Sequence, residues 1–232
     1  MTGLVGNVSI PTYDGSTVGW AGEVDAAADG AGTFGEVELS PKRLTAYVDI
    51  SKQFLIQDSV SAEALLRKDI VDAISNKLEA TILGAEAGST TKPAGLFNAV
   101  VADEADITYK DIVAMEQKLE EANVSGNITF IASPYAKATL KTTAIGGTKS
   151  DVRMLMDSGE VDGYPVLVTN GMAKKGLILG NFNDLVIGQW GGIDLTVDPY
   201  TQAANGKIRL VVNAYFDAKP QRAASFVKKV LK

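Results

Sequence analysis

The sequence predicts an α+β fold, and three observations carry that prediction. Apolar residues recur at helical spacing through one long segment, SAEALLRKDIVDAISNKLEATILG, residues 61 to 84. A second segment opens on a capping signal at Thr108. The last third of the chain is a series of short alternating or apolar stretches, without the regular helical intervals that a parallel α/β sheet requires. At 232 residues the chain can bury a full core, as one large domain or two intimate ones.

The first 41 residues are rich in Gly, Ala and Thr, with few large apolar side chains to build a core, so they read as peripheral. Glu36 to Leu39 begin an alternation that strengthens from Leu44. There Leu44, Ala46, Val48 and Ile50 share one face and Thr45, Tyr47, Asp49 and Ser51 the other, the pattern of a half-buried strand. Residues 20 to 51 therefore read as a long two-stranded excursion with VDAAADGAGTFGE, residues 24 to 36, at its tip. In the long helix Leu66, Ile70, Ala73, Ile74, Leu78 and Ile82 form the apolar stripe, Ser61 reads as N-cap and Gly84 as stop. At ~1.5 Å per residue it spans roughly 35 Å and lies along a sheet or another layer. The next helix begins with Thr108 and Asp111 as a capping box and Ile107 stapled to Ile112; Met115 and Leu119 continue its apolar face, and Asn123 to Gly126 end it. NITFIA follows as a buried strand, then Ser133 and Pro134 as N-cap and first turn of a third helix through Leu140. The remaining strands are expected at 165 to 169, 176 to 179, 184 to 190, 193 to 197 and 207 to 216.

Charge is segregated along the chain. No Lys or Arg precedes Lys42, while Asp14, Glu23, Asp25, Asp29, Glu36 and Glu38 do; the remaining 22 acidic side chains match the 22 Lys and Arg, so the net charge of -6 lies on the first 41 residues. Such a segment is a solvated tail or an arm that docks on a basic surface. The C-terminal cations Lys219, Arg222, Lys228, Lys229 and Lys232 are correspondingly a solvated strand edge or the dock for such an arm. The acidic balance gives no general footprint for nucleic acid, and no phosphate-binding glycine loop occurs. No segment has the form of a signal peptide or the ~20 apolar residues of a membrane span, so the chain is expected to be cytosolic when made.

The absence of Cys and His removes disulfides, thiolate nucleophiles, Ser-His-Asp triads, the usual zinc sites and imidazole catalysis. Two other chemistries have partial patterns. Asp25, Asp29, Gly30 and Glu36 fall in register with a calcium-binding loop, but Ala27 replaces an oxygen ligand and neither flank is helical. Ser89 and Lys92 match the S-x-x-K of serine acyl-transferases, loosely supported by Ser125 with Asn127 and by Lys141, Thr142 and Thr143. Ser and Lys must share a helical turn, yet Pro93 disfavours helical geometry at Lys92. No catalytic residue, metal site or cofactor is expected, and the chain is read as a non-enzyme.

The order of the segments resembles a known family. LTAYVDISKQFLIQDS leads into the long helix and then KPAGLFN; VDGYPVLVTN follows, and the chain closes with DLVIGQWGGIDLTVDPYTQAANGKIRLVVNAYFDAKPQRAASFV. These pieces resemble the passage from extended loop to spine helix to "GL-N" turn, the "G-x-P-V" strand and the C-terminal portion of the major capsid proteins of tailed phages, which share the Hong Kong 97 fold. The resemblance implies an N-terminal arm at 1–19 and an extended β-hairpin loop at 20–50. It implies a peripheral domain at 51–104 and 199–232 with a spine helix at 61–83, and an axial domain at 105–198.

It further implies a structural subunit that self-assembles through pentamers and hexamers into an icosahedral shell around phage DNA. Partners would be further copies, a scaffolding protein or scaffold domain, a portal, and DNA without sequence readout, with no membrane. Assembly would take place in the host cytoplasm and the product would be the virion capsid. Trp20, Glu23, Asp25, Asp29, Phe34 and Glu36 would form the subunit interface on the extended loop, with Lys219, Arg222, Lys228 and Lys229 as the candidate docking surface. Some relatives join subunits through an extended-loop Lys and an Asn of the next subunit. Here no Lys lies between Trp20 and Gly35, which leaves Asn205 without an amine partner and predicts a non-covalent shell. The chain starts without the helical scaffolding segment of many relatives, which implies a mature or truncated form or a separate scaffold. An encapsulin-like nanocompartment shell remains an alternative on the same fold, and a Ser-Lys hydrolase an alternative of another class.

Overall fold

The computed structural model describes residues 1–57, 61–99, 104–146 and 153–232. In chain order its elements are β1 (Val8–Tyr13), β2 (Phe34–Leu39), β3 (Lys42–Ser51), α1 (Lys52–Gln57), α2 (Ser61–Ile82), α3 (Leu96–Ala99) and β4 (Glu104–Ala105), followed by α4 (Tyr109–Glu121), β5 (Ile128–Ala132), α5 (Pro134–Thr142), β6 (Glu160–Val161) and β7 (Tyr164–Val168). The chain closes with β8 (Gly176–Asn181), β9 (Leu185–Asp198), β10 (Lys207–Pro220) and β11 (Phe226–Leu231). Among the described residues the strands form three sheets, in the orders β1-β2, β3-β10-β9 and β4-β11-β8-β5-β7-β6.

Alternation builds the three-stranded sheet. Leu210, Val212, Ala214 and Phe216 of β10 share a buried face, onto which β3 adds Ile50 and α2 adds Ile70 and Ile74. The long helix thus lies along the sheet, as its stripe requires. Its expected cap, the Ser61 side chain, lies outside the described residues. The two stretches expected at 184 to 190 and 193 to 197 are one strand, β9, because the ladder to β10 is interrupted without being broken. Pairing passes from Tyr215↔Trp190 to Asn213↔Asp194 across a bulge. Gly191 sits in that bulge at φ 68, a left-handed conformation that favours glycine.

The six-stranded sheet is buried on both faces at its middle, around β8. All of β8 is buried; Leu177 and Leu179 face a core completed by Ile112, Met115 and Leu119 of α4, Leu140 of α5 and Phe130 of β5. Ile178 faces the opposite core, with Ile82, Leu96, Phe97 and Phe226. A strand covered on both sides reads as a continuous apolar run, which is why GLIL shows no alternation. The helix starts follow the sequence: the Asp111 carboxylate accepts from the Thr108 N–H at 2.8 Å and the Thr108 hydroxyl at 2.7 Å. Ser133 Oγ accepts from the Ala136 N–H at 3.2 Å ahead of Pro134.

Two expectations are corrected. The excursion expected over residues 20 to 51 is paired differently: β2 pairs antiparallel with β1, from Val8↔Leu39 to Tyr13↔Phe34, while β3 pairs with β10. Pro41 stands between β2 and β3, and β3 carries the apolar face that the α2 core buries, so the two strands part company there. The C-terminal basic segment is not a solvated strand edge. β11 lies between β4 and β8 inside the sheet, because Phe226 and Leu231 are buried in its two cores.

Candidate assembly surface

The β1-β2 hairpin carries the predicted interface residues. Its strands end on Tyr13 and Phe34, whose rings lie 4.6 Å apart between centroids. Beyond them the tip is held chiefly by backbone contacts: the Thr17 N–H donates to Gly30 O at 2.9 Å, the Asp14 N–H to Thr33 O at 3.2 Å, and the Gly32 N–H to the Tyr13 hydroxyl at 2.8 Å. That hydroxyl also meets Ser16 Oγ at 2.6 Å. These contacts, Ser16 foremost and then Gly32, hold the Tyr13 phenol below its ordinary value. They leave the apolar side chains outside. Trp20 is fully exposed, Val18 99% and Val24 95% exposed, and Phe34 79% exposed.

The calcium register has another explanation. A Cβ at Gly30 would meet Thr17 O at 1.9 Å, so glycine is required by the approach of the two sides of the tip. The carboxylates point to separate partners. Asp25 accepts from the Gly22 N–H at 3.1 Å, Asp29 from the Ala31 N–H at 3.0 Å and Glu36 from the Ser9 hydroxyl at 2.7 Å. Glu23 is exposed beside them. Among the described residues no three His, Cys, Asp or Glu gather as a metal site.

The predicted docking cations are not brought together as one surface. Lys229, 7% exposed, pairs with Asp111 at 2.6 Å, and Lys228 donates to the Phe97 carbonyl with its ammonium over the Phe97 ring. Both are turned inward because β11 is an interior strand; burial holds the Lys228 ammonium below its ordinary value. Arg222 is exposed and donates to Ala122 O at 2.6 Å. It lines a groove of about 900 Å³ shared with Tyr13, Asp14 and Gly15 of this chain's own hairpin. Lys219 is half-buried in β10. Sequence patterning missed β1, although VSIPTY does alternate in burial; Pro11 within it spoiled the strand signal.

The hydrolase pair is not assembled. Ser89 and Lys92 close a turn through the Ser89 N–H to Lys92 O at 2.9 Å, but Ser89 Oγ turns to Thr91 and the Lys92 ammonium to Glu86. An amine bound to a carboxylate is a poor base for that hydroxyl. No helix among the described residues is long and apolar enough to cross a membrane.

The model of the phage capsid family matches residues 1–231, the whole chain but its last residue. The chain belongs to the phage capsid family. It is 27% identical over 235 residues to the major capsid protein of Halomonas phage phiHAP-1, an alignment covering 97% of this chain and 38% of that protein. It is 24% identical over 209 residues to the major capsid protein of Klebsiella oxytoca phage phiKO2, covering 81% and 49%. The chain thus spans less than half the length of these relatives. Its mixed helix and strand fold is shared with the capsid of a native GTA particle at TM-score 0.78 and 16% identity, over 100% of this chain and 86% of that one. A chain from Gordonia phage Cozz shares it at TM-score 0.71 and 15% identity, over 100% and 82%.

Proposed function

We propose that this phage capsid family chain is a major capsid subunit that assembles through pentamers and hexamers into an icosahedral shell enclosing phage DNA. The observation that carries the reading is the hairpin tip. Val18, Trp20, Val24 and Phe34 are exposed on a segment with no core of its own, and apolar groups so displayed call for a partner surface. Further copies of the chain are the partner that the family supplies, many weak contacts summing to a strong shell. In this reading residues 1–19 and 20–50 are the N-terminal arm and extended loop, joined here through β1 and β2. α2 is the spine helix of the peripheral domain, and residues 105–198 form the axial domain. Scaffold and portal act during assembly in the host cytoplasm, and DNA meets the inner face without sequence readout.

The test is negative-stain microscopy with sedimentation of the purified chain across concentration and salt. Rings of five or six or uniform hollow shells are expected, with loss of both on deleting residues 23 to 36. A chain that sediments as a monomer throughout would overturn self-assembly through this hairpin.

A further inference from the structure

The face of the six-stranded sheet that α2 packs on is only partly covered. Ile131 of β5 lies on that face between its ladder partners Ile178 of β8 and Leu167 of β7. Ile82 of α2 covers Ile178, but Leu167 is left 59% exposed. The gap is a groove of about 500 Å³, walled by Leu78 and Ile82 of α2, Ile131 of β5, and Leu185 and Ile187 of β9. Among the residues that line it, Glu79 of α2 alone carries a charge. Its carboxylate accepts from the Thr169 hydroxyl, which in turn accepts from the Gly171 N–H at 3.0 Å. Among the described residues no Lys or Arg pairs with Glu79.

We propose that this groove binds a small apolar amine, its hydrocarbon body against the aliphatic walls and its ammonium on Glu79. Size sets the first condition. Small-molecule sites are clefts of roughly 300–1,000 Å³, lined mainly by hydrophobic side chains with a few placed polar groups, and the groove has that size and that lining. Charge sets the second. The Thr169 hydroxyl fixes the carboxylate before a ligand arrives, so a cation meets it without the cost of ordering the side chain. A fatty acid or a phosphate ester would bring a second negative charge to Glu79. A neutral hydrocarbon would cover the carboxylate and return no hydrogen bond to it, which costs free energy. No residue of the hairpin lines the groove, so the inference stands apart from the shell reading above.

The full chain, labelled at its isoleucine methyl groups, is titrated with phenylbutylamine, phenylbutanoate and phenylbutanol. Nuclear magnetic resonance follows Ile82, Ile131 and Ile187 in the groove against Ile112, which packs on the opposite face of the sheet. Saturable shifts confined to the three groove residues are expected, with the amine binding roughly fivefold tighter than the carboxylate, the effect of a partly exposed ion pair. Glu79→Gln keeps an oxygen for the Thr169 hydroxyl and is expected to bring the amine down to the affinity of the alcohol. Leu167→Trp, at the exposed mouth, is expected to abolish binding of all three compounds. If either variant unfolds, the ligand series on the wild-type chain still decides. Equal binding of amine and carboxylate there would overturn the role of Glu79. Shifts that never saturate, or that reach Ile112 and Ile10 of the hairpin equally, would overturn the site. Absence of amine binding from a chain that sediments as oligomers would assign the groove to a contact between copies instead.

Discussion

Asp217 shows how a single side chain ties the hairpin to the body of the protein. It is 1% exposed and accepts from the Ser40 N–H at 3.0 Å, the Ala218 N–H at 3.0 Å and the Lys42 ammonium at 2.6 Å. Ser40 and Lys42 bracket the turn between β2 and β3, so the carboxylate fixes the point at which the hairpin leaves the sheet. Removing one partner of a buried ion pair leaves the other charge uncompensated, which costs about 3–5 kcal/mol. Lys42 is itself 10% exposed at its side chain, so the lower end applies. Asp217→Ala is expected to destabilise the chain by roughly 3 kcal/mol in urea unfolding. An effect no larger than that of an exposed pair, below about 1 kcal/mol, would show that Lys42 reaches water and the anchor is dispensable. Asp217 could not be singled out from the sequence: Ser40 is 177 positions away, and NAYFDAKP reads simply as an alternating strand.

Among the elements, α4 was legible in the sequence and β11 was not, and the contrast has a physical cause. The start of α4 is specified locally, by Thr108, Asp111 and the Ile107–Ile112 pair, all within one turn or next to it. β11 carries Lys228 and Lys229 among Phe226, Val227, Val230 and Leu231, and adjacent lysines in a C-terminal stretch look solvated. Their burial depends on partners far away in sequence, Phe97 and Asp111, which no local pattern reveals. The two elements meet in one ion pair. Burial pushes the Asp111 carboxyl up, but the Lys229 ammonium and the Thr108 hydroxyl and N–H outweigh it and hold the carboxyl below its ordinary 3.8. A depressed carboxyl binds its proton less readily in the folded chain than in the unfolded one. Its stabilisation is therefore present above pH 3.8 and lost as pH falls through the lower folded value. Asp111→Asn is expected to destabilise the protein at neutral pH, with the gap to wild type narrowing as thermal melts are taken below pH 3.8. A gap of constant size at every pH would mean that Asp111 acts only as a helix cap.

For the whole molecule, the order of segments revealed the fold, while the pairing of its N-terminal hairpin stayed hidden. A sheet that carries a core leaves its periodicity in the sequence, as β3 and β10 do around Ile50, Leu210 and Val212. The tip between β1 and β2 buries little in its own chain, so nothing in its sequence marks a core-facing side. The charge distribution is the signal that remains: six acidic residues before the first cation, opposed to a balanced remainder. Under the proposed shell reading, that distribution favours contacts between copies that are reversible and weakened by salt, since exposed charges are screened over about 8–10 Å at ordinary ionic strength. Covalent locking would remove that reversibility, and the chemistry for it is missing from the tip, where no Lys lies between Trp20 and Gly35. Asn205, which only the resemblance casts as the receiver of such an amine, donates to Gln202 at 2.7 Å in its own loop. Assembled protein boiled in detergent is therefore expected to run as a single band of 24.4 kDa. A ladder of covalent oligomers under those conditions would place the donor lysine outside the tip, and the non-covalent reading of the shell would fall with it.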